Sequence, residues 1–313
     1  MSAVSVYRKI ECLVTNAGML ASNGVRPQES DLGLLRNAAL VFSKKKGVIW
    51  VGLDKDLPKE FRRTKNQFDC RELVGYPGFT DAHSHPVFAG NRAGEFSRRL
   101  AGATYQEISA AGGGIQSSVN ATRALPKNKL IALVESRFLR ARDFGIRLQE
   151  AKSGYGLNFK SELDSLAAIH AAAKNIAGFE VVATCLAAHS IPKEWLQNRA
   201  GWIAEVTQKI LPAVKKKSLA EFVDVFCDKG FYTNGEAENI LQAAKKLGFK
   251  VRMHGDELAD TDGAKLAASL GAHSVDHLLK ISDRGISALS KSSTVGILLP
   301  GTSLFLRDPP APA

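Results

Sequence analysis

The sequence has little cysteine and no long apolar run. Its 313 residues include only four cysteines, which lie far apart without a CxxC pair: Cys12, Cys70, Cys185 and Cys227. In a chain this long, such spacing indicates reduced, buried thiols in a cytoplasmic protein rather than a disulfide framework. No apolar stretch approaches the roughly 20 residues that span a membrane, and the N-terminus lacks the apolar core of a secretory signal. We expect no membrane association.

The chain also lacks a nucleic-acid-binding motif, although its net charge is +11, from 42 Lys and Arg against 31 Asp and Glu. Its basic residues are dispersed, and the short clusters at 44–46 and 215–217 do not alternate with aromatic residues. A charge excess without a motif or a patterned stripe is weak evidence for nucleic-acid binding. We therefore expect solvated lysine faces and no nucleic-acid partner, while a small anionic ligand would suit this charge.

The pattern of apolar segments changes near residue 74. Residues 1–73 are typical of short strands, and 38–42 and 48–51 form a predicted hairpin around a glycine-containing turn. We assign 1–73 to the N-terminal part of a small β-sandwich domain. In 74–313, strand-like runs alternate with amphipathic segments of helical length, which predicts a parallel sheet covered by helices.

Seven strand-like runs are predicted in this second domain: 78–82, 146–150, 180–184, 222–226, 250–253, 274–276 and 294–299. Seven strand–helix units are one fewer than a (β/α)8 barrel contains. A doubly wound sheet is the competing architecture, but it needs a glycine-rich phosphate turn after its first strand. Here that strand ends in Asp-Ala-His-Ser-His instead. We therefore favour an α/β fold of the TIM-like (β/α)8 barrel type.

Histidine is scarce and unevenly placed. Five of the seven histidines follow predicted strands at their carboxyl ends, the face that holds the active site in a barrel: His83, His85, His189, His254 and His277. His83 and His85 are two positions apart, so an extended backbone points both imidazoles the same way. Neutral imidazole suits Zn²⁺ or Fe²⁺, and His254 is a plausible third ligand. His170 and His273 are interpreted as structural.

Other polar residues near these strand ends have two interpretations each. Glu257 could serve as a base beside a metal-bound water, or simply favour a helix N-terminus. Arg92 could clamp a carboxylate or be an ordinary surface arginine. Tyr155 could orient a polar substrate or close the barrel mouth. His189 and His277 could be site residues or hydrogen-bonded structural histidines.

Longer motifs resemble a known family. The segment Pro77–His85 resembles the first metal-binding strand of the amidohydrolase superfamily. The longer stretches resemble the imidazolonepropionase family of histidine degradation across nearly the whole chain and in order: PGFTDAHSHPVFAGNR, GATYQEISAAGGGI, EAKSGYGL, HGDEL, DHLLKISDRGI and LLPGTSLFL. The resemblance implies a metal-dependent barrel with a small β domain, which hydrolyses 4-imidazolone-5-propanoate to N-formimidoyl-L-glutamate.

Residue roles follow from this resemblance only. It implies that the metal ligands are His83, His85 and His254, for one Zn²⁺ or Fe²⁺/Fe³⁺ ion. It implies catalytic roles for Glu257, as acid/base, and for His277. Substrate binding is implied for Arg92, on the propanoate carboxylate, and for Tyr155 and His189. The oligomeric state stays open, with a homodimer among the alternatives.

The sequence departs from the family pattern in two places. Gly255 stands where the family commonly has alanine, a change that we expect to be tolerated. The family's last metal ligand is an aspartate of strand eight in a TDxNPG-like motif, which this sequence does not contain. We therefore expect an incomplete barrel that lacks strand eight. An inactive remnant, or another superfamily hydrolase such as a deaminase, stays open as an alternative function.

Overall fold

The structure, a computed structural model, describes residues 4–21, 28–102, 113–306 and 308–312. Contacts between Cα atoms divide the chain into two units, 1–78 and 79–313. The expected boundary was at 73/74, but Val74 and Gly75 form a strand that pairs with Cys12 and Leu13 of the first unit. The boundary found by the contacts therefore lies a few residues later.

The first unit contains one five-stranded sheet. Its strands are β1 (Val4–Val14), β2 (Leu34–Ser43), β3 (Gly47–Leu53), β4 (Asn66–Asp69) and β5 (Val74–Gly75). The order is β3-β2-β1-β4, with β5 also beside β1. The predicted hairpin is confirmed, since β2 and β3 pair antiparallel. A second sheet of a sandwich is not found among the described residues of this unit.

The second unit contains a seven-stranded parallel sheet. Its strands are β6 (Phe79–Asp81), β7 (Ile146–Lys152), β8 (Glu180–Ala188), β9 (Phe222–Cys227), β10 (Lys250–Gly255), β11 (Ser274–His277) and β12 (Val295–Ile297). Each strand pairs with the next in sequence, from β6 at one edge to β12 at the other. All seven predicted strands are thus confirmed, within a few residues at their ends.

The sheet is curled, which is evident from one cavity that residues of both edge strands line. The cavity of about 320 Å³ is bounded by Thr80 of β6, by Val295 and Ile297 of β12, and by Leu148 and Phe222 between them. Among the described residues, β6 and β12 each pair on one side only. An eighth strand between them is not observed, so a complete barrel is not established.

Helices lie between the strands of the second unit. Their ranges are Ala93–Leu100, Ile115–Ala124, Lys127–Asp143, Phe159–Ala173, Arg199–Glu205, Leu211–Lys216, Asn234–Lys246, Gly263–Ser269, Asp283–Leu289 and Pro300–Leu306, with a π-helical turn over Val206–Ile210. The described residues of the first unit form a short α-helix, Ala17–Ala21, and short 3-10 helices at Glu29–Leu32, Asp54–Asp56 and Lys59–Phe61. In the part of the chain that the structure describes, no helix is both long and apolar enough to cross a membrane.

The helix Asn234–Lys246 illustrates how local sequence sets the elements. Thr233 and Glu236 form a reciprocal capping box at its start, which satisfies two backbone N–H groups. Its apolar stripe buries Ile240 and Leu241 completely in the core. Gly248 follows its end with φ +77°, a left-handed conformation that glycine adopts without steric cost. The predicted stripe and C-terminal glycine are both confirmed.

The cysteines are largely placed as expected. Cys70, Cys185 and Cys227 are buried free thiols, whereas Cys12 is only half-buried. Burial raises the pKa of Cys185 and of Cys227 to about 12. Thiols with such raised pKa values stay protonated near neutral pH, so these cysteines act as small apolar side chains.

Candidate active site at the carboxyl ends of the parallel strands

Three imidazoles converge at the carboxyl ends of β6 and β10. His83 and His85 lie just past β6, and His254 lies within β10. The Nε2 atom of His85 is 3.2 Å from the Nε2 atoms of both His83 and His254. One ligand atom from each ring lies within 4.8 Å of the other two. The structure therefore brings together the three residues assigned as metal ligands.

This donor set fits a divalent metal ion. Imidazole binds Zn²⁺ at about 2.0–2.1 Å, which places neighbouring ligands of a tetrahedral ion roughly 3.4 Å apart. The observed separations of 3.2 Å are close to that value. Without a cation between them, nitrogen lone pairs that face one another at 3.2 Å would repel. The site is thus built for a divalent metal.

Two of the three rings are oriented by carboxylates. The Nδ1 atom of His83 is 2.6 Å from Asp276, and that of His254 is 3.0 Å from Asp224. Because an ionised carboxylate only accepts hydrogen bonds, each Nδ1 carries the proton and donates it. Each Nε2 lone pair is then free to bind a metal. The buried Nδ1 atom of His85 has no hydrogen-bond partner among the described residues.

Burial lowers the pKa of four histidines of the site, which favours their neutral form. Desolvation lowers the pKa of His83 and of His85 well below the usual value, and positively charged neighbours lower it further. Burial likewise lowers the pKa of His189 and of His277 to about 3. Neutral imidazole is the form that binds a metal or accepts a proton.

A buried ionic cluster lies beneath the imidazoles. Lys152, at the end of β7, is fully buried and donates to Glu150 at 2.9 Å and to Asp224 at 2.7 Å. Arg252 donates to Asp276 at 3.1 Å. Burial lowers the pKa of the Lys152 ammonium, but the three carboxylates around it raise the pKa more, so its value lies above the usual one.

Sequence reasoning did not find this cluster. Its members are charged residues inside apolar strands, often two positions from another site residue, as Glu150 is from Lys152 and Arg252 from His254. A charged residue in a strand that is buried on both faces needs a charged partner. A charged residue within an apolar strand was therefore a signal of a buried ion pair, but it does not identify the residue with which the pair forms.

Glu257 lies next to the imidazoles in a loop shaped by Asp228. The buried Asp228 carboxylate accepts backbone N–H groups from Glu257, Leu258 and Ala259 at 2.7, 2.9 and 3.2 Å. Burial raises the pKa of Glu257 to about 7. A carboxyl group with this pKa can exchange a proton near neutral pH.

His277 ends β11 in a strained conformation. Its φ is +82°, and that of Leu278 is +60°. Side-chain-bearing residues rarely adopt such angles, and strain of this kind clusters at functional sites. In this conformation the centroid of the His277 ring lies 5.0 Å from that of the His83 ring. Its Nδ1 is 3.4 Å from Glu257, and among the described residues it has no partner with hydrogen-bond geometry.

Tyr155 and His189 form one wall of the site. The ring centroid of His189 is 5.1 Å from that of His85 and 5.0 Å from that of Tyr155. The backbone carbonyl of Gly154 accepts the His189 Nδ1–H at 3.0 Å. Gly154 itself has φ +110°, and a Cβ there would lie 2.8 Å from the Leu186 carbonyl oxygen. This glycine therefore lets the Tyr155 loop approach β8.

Arg92 occupies a different environment. It precedes the helix Ala93–Leu100, its side chain is 38% exposed, and its Nε donates to Glu95 at 2.7 Å. Glu95 also accepts the backbone N–H of Gly114. The structure groups the other assigned residues around the imidazoles, whereas part of the Arg92 guanidinium is already paired at its own helix.

Comparison with known proteins identifies the family. No protein-family model matches the chain. The chain is 41% identical over 312 residues to an imidazolonepropionase of Bdellovibrio bacteriovorus, covering 98% of this chain and 72% of that protein. The chain belongs to the imidazolonepropionase family. A second family member, from Geobacillus thermodenitrificans, is 39% identical over 309 residues with the same coverage of both chains. This similarity does not favour the alternatives of an inactive remnant or another hydrolase.

Two solved hydrolase structures are similar in fold to this imidazolonepropionase-family chain. Atrazine chlorohydrolase from Arthrobacter aurescens TC1, complexed with zinc, matches with a TM-score of 0.63 and 13% identity, over 98% of this chain and 68% of that chain. Guanine deaminase from C. acetobutylicum matches with a TM-score of 0.61 and 12% identity, over 99% and 70%. At such low identity these matches support the fold alone.

Proposed function

We propose that this protein hydrolyses 4-imidazolone-5-propanoate to N-formimidoyl-L-glutamate in histidine degradation. Family membership supports the substrate, because two imidazolonepropionases that are 41% and 39% identical to the chain each match 98% of it. The observation that carries the chemistry is the convergence of three imidazoles at 3.2 Å beside Glu257. Both features are those of a metal-dependent cyclic amidohydrolase.

His83, His85 and His254 would hold one divalent metal ion. When bound, such an ion lowers the pKa of a coordinated water and polarises a carbonyl oxygen. An all-imidazole set accommodates both Zn²⁺ and iron, and we propose that the resident ion is one of these two. The zinc in the structurally similar chlorohydrolase supports zinc as the first metal to test.

Glu257 would move the proton in the reaction. Its carboxylate accepts a proton from the attacking water, whose oxygen forms a bond to the ring carbonyl carbon. The carbon–nitrogen bond of the ring amide then breaks, and the same carboxyl group returns the proton to the leaving nitrogen. A pKa of about 7 suits both halves of this exchange near neutral pH.

His277, Tyr155, His189 and Arg92 would bind and orient the substrate. Neutral His277 can donate a hydrogen bond to the developing oxyanion. Tyr155 and His189 would contact the planar ring from the wall that they form beside His85. Arg92 would pair with the propanoate carboxylate, which requires its guanidinium to use donors other than the Nε bound to Glu95.

We also propose that the seven strands of the curled sheet are those of an incomplete (β/α)8-type barrel, in which the missing eighth strand would lie between β6 and β12. The unpaired outer edges of these two strands, among the described residues, support this arrangement.

The binding partner would be a small anionic molecule, which the net charge of +11 favours.

Turnover of the proposed substrate by the zinc-loaded protein tests this function. We expect N-formimidoyl-L-glutamate, detected by mass spectrometry, at rates typical of enzymes, roughly 1–1000 per second. The Glu257→Gln variant should bind zinc as the parent does but form almost no product. A folded, zinc-loaded parent that leaves the imidazolone intact would contradict the proposal.

A further inference from the structure

The buried Lys152 is an unusual feature of the second unit. Its ammonium group is fully buried, 2.7 Å from Asp224, 2.9 Å from Glu150 and 3.7 Å from Asp276. Taking a charge out of water is costly, and breaking such a buried pair is strongly destabilising. A neutral side chain of similar volume would avoid that cost, so the charge calls for a reason beyond packing.

Two of the three carboxylates around Lys152 also bind the metal-site histidines. Asp224 accepts the Nδ1–H of His254 at 3.0 Å, and Asp276 accepts that of His83 at 2.6 Å. Both carboxylates are completely buried. Lys152 is therefore linked to the His254 imidazole through Asp224 and to the His83 imidazole through Asp276.

Lys152 and Arg252 contact these two carboxylates to different extents. Asp276 is paired with Arg252 at 3.1 Å and only more distantly with Lys152 at 3.7 Å. Among the described lysines and arginines, Asp224 forms an ion pair with Lys152 alone. The position of Asp224 thus depends on Lys152, whereas Asp276 is held by Arg252 together with the Ser274 hydroxyl, which donates to it at 2.7 Å.

We propose that Lys152 is a positioning residue for the metal site, because it fixes Asp224 and thereby holds the Nε2 of His254 toward the other two imidazoles. Arg252 performs the corresponding task for Asp276 and His83. Partners of this kind orient metal ligands, and their loss typically reduces metal affinity or activity by about 10–100-fold. The inference rests on the proposed metal-dependent function, but its test does not require turnover.

A merely structural Lys152 would behave differently. If its only task were to neutralise buried carboxylates, its replacement would lower the melting temperature without a selective effect on either histidine. A positioning role instead predicts a change at His254 that His83 does not share. Separate signals from the two rings distinguish these cases.

The test combines NMR spectroscopy with zinc affinity. In protein labelled with ¹⁵N-histidine, the Nδ1–H protons held by Asp224 and Asp276 should give separate, slowly exchanging signals, assigned with His254→Asn and His83→Asn. In Lys152→Met, we expect the His254 signal to broaden or disappear while the His83 signal persists. Zinc affinity, measured by competition with a chelator, should fall about 10–100-fold.

Two further variants make the test decisive. Arg252→Gln should affect the His83 signal and leave that of His254. If Lys152→Met does not fold, Lys152→Gln, which keeps a hydrogen-bond donor near Asp224 but removes the charge, is tested in its place for a selective change of the His254 signal. Val134→Ala removes buried core atoms from the helix Lys127–Asp143 and should lower the melting temperature without changing either signal or the zinc affinity. An unchanged His254 signal in folded Lys152→Met, with zinc affinity within about twofold of the parent, would overturn the inference.

The same samples separate this inference from the proposed function. If the selective NMR changes occur but the zinc-loaded parent does not hydrolyse the imidazolone, the positioning role stands and the proposed substrate is wrong. If the parent hydrolyses it and Lys152→Met retains both the His254 signal and zinc binding, the substrate stands and the positioning role is wrong.

Discussion

Glu257 shows how a single residue acquires its chemistry from its surroundings. An exposed glutamate is ionised at neutral pH and is a weak base. Here burial raises its pKa to about 7, while Asp228 fixes the backbone that carries it. His277 beside it stays neutral, because burial lowers its pKa to about 3. The two neighbours therefore divide the roles of proton acceptor and hydrogen-bond donor.

The pH dependence of hydrolysis should report Glu257. Below a pH of about 7 its carboxyl group is protonated and cannot accept a proton from water, so kcat/KM should fall about tenfold per pH unit. His277 does not titrate in this range. Glu257→Gln should lower kcat by roughly 10²–10⁴-fold and abolish the acidic limb, whereas Asp260→Asn, an exposed carboxylate of the same loop, should keep it. If the residual kcat/KM of Glu257→Gln still falls below a pH of about 7, Glu257 is not the group that titrates.

Arg92 is the residue whose proposed role needs the most direct test. Arg92→Met should raise KM for the anionic imidazolone by at least about tenfold, since a hydrogen bond to a charged group contributes roughly 1.5–3 kcal/mol. KM for an analogue without the carboxylate should change little. Arg98→Met, an exposed arginine of the same helix, is the matched control. Equal effects of Arg92→Met on both compounds would show that Arg92 does not bind the carboxylate.

At the scale of single residues, the sequence predicts the imidazoles of the metal site but not the carboxylates that orient them. His83, His85 and His254 could be singled out because histidine is scarce and follows predicted strands. Asp224 and Asp276 could not, because their function depends on pairing between strands that are distant in sequence. Arg92 was assigned by motif, yet its pairing with Glu95 depends on local geometry that the motif does not specify.

Among the elements, the loops after the strands determine the site geometry. The alternating strands and helices were predictable from apolar periodicity, and the parallel order of the sheet followed from it. The loop after β10 was not predictable, because it is shaped by Asp228 from the end of β9. Such a contact joins residues about 30 positions apart and leaves no periodic pattern.

Asp228→Asn tests this loop. An amide group cannot accept all three backbone N–H groups, so we expect kcat to fall by about tenfold or more, with a loss of roughly 1–3 kcal/mol in stability. KM and zinc binding should change little. Asp164→Asn is the control, since Asp164 pairs with Lys127 and Lys160 on half-exposed helix surface and should not affect kcat. An unchanged kcat in Asp228→Asn would show that the loop does not depend on this carboxylate.

At the scale of the whole molecule, the edges of the parallel sheet have a physical consequence, because among the described residues β6 and β12 each pair on one side only. Val295 at the β12 edge is 59% exposed. Unpaired strand edges with apolar side chains promote association between chains. The sequence indicated an incomplete barrel, because it contains seven predicted strand–helix units rather than eight.

The 313-residue chain expressed alone should therefore self-associate in a concentration-dependent way. Val295→Lys should reduce this association, because a charge at a strand edge opposes edge-to-edge pairing. Phe144→Lys replaces an aromatic residue that is 71% exposed at the end of a helix and should have little effect. Sedimentation velocity measures the change. A parent chain that stays monomeric at high concentration would contradict the importance of the edges.

The most direct test of the central claim is a titration of the metal-depleted protein with zinc while hydrolysis of 4-imidazolone-5-propanoate is followed. If His83, His85 and His254 hold one ion that serves Glu257, activity should rise linearly and level off at one zinc per chain. His254→Ala should remove both the high-affinity binding and the activity. Hydrolysis that proceeds without metal, or that is unaffected by His254→Ala, would contradict the claim.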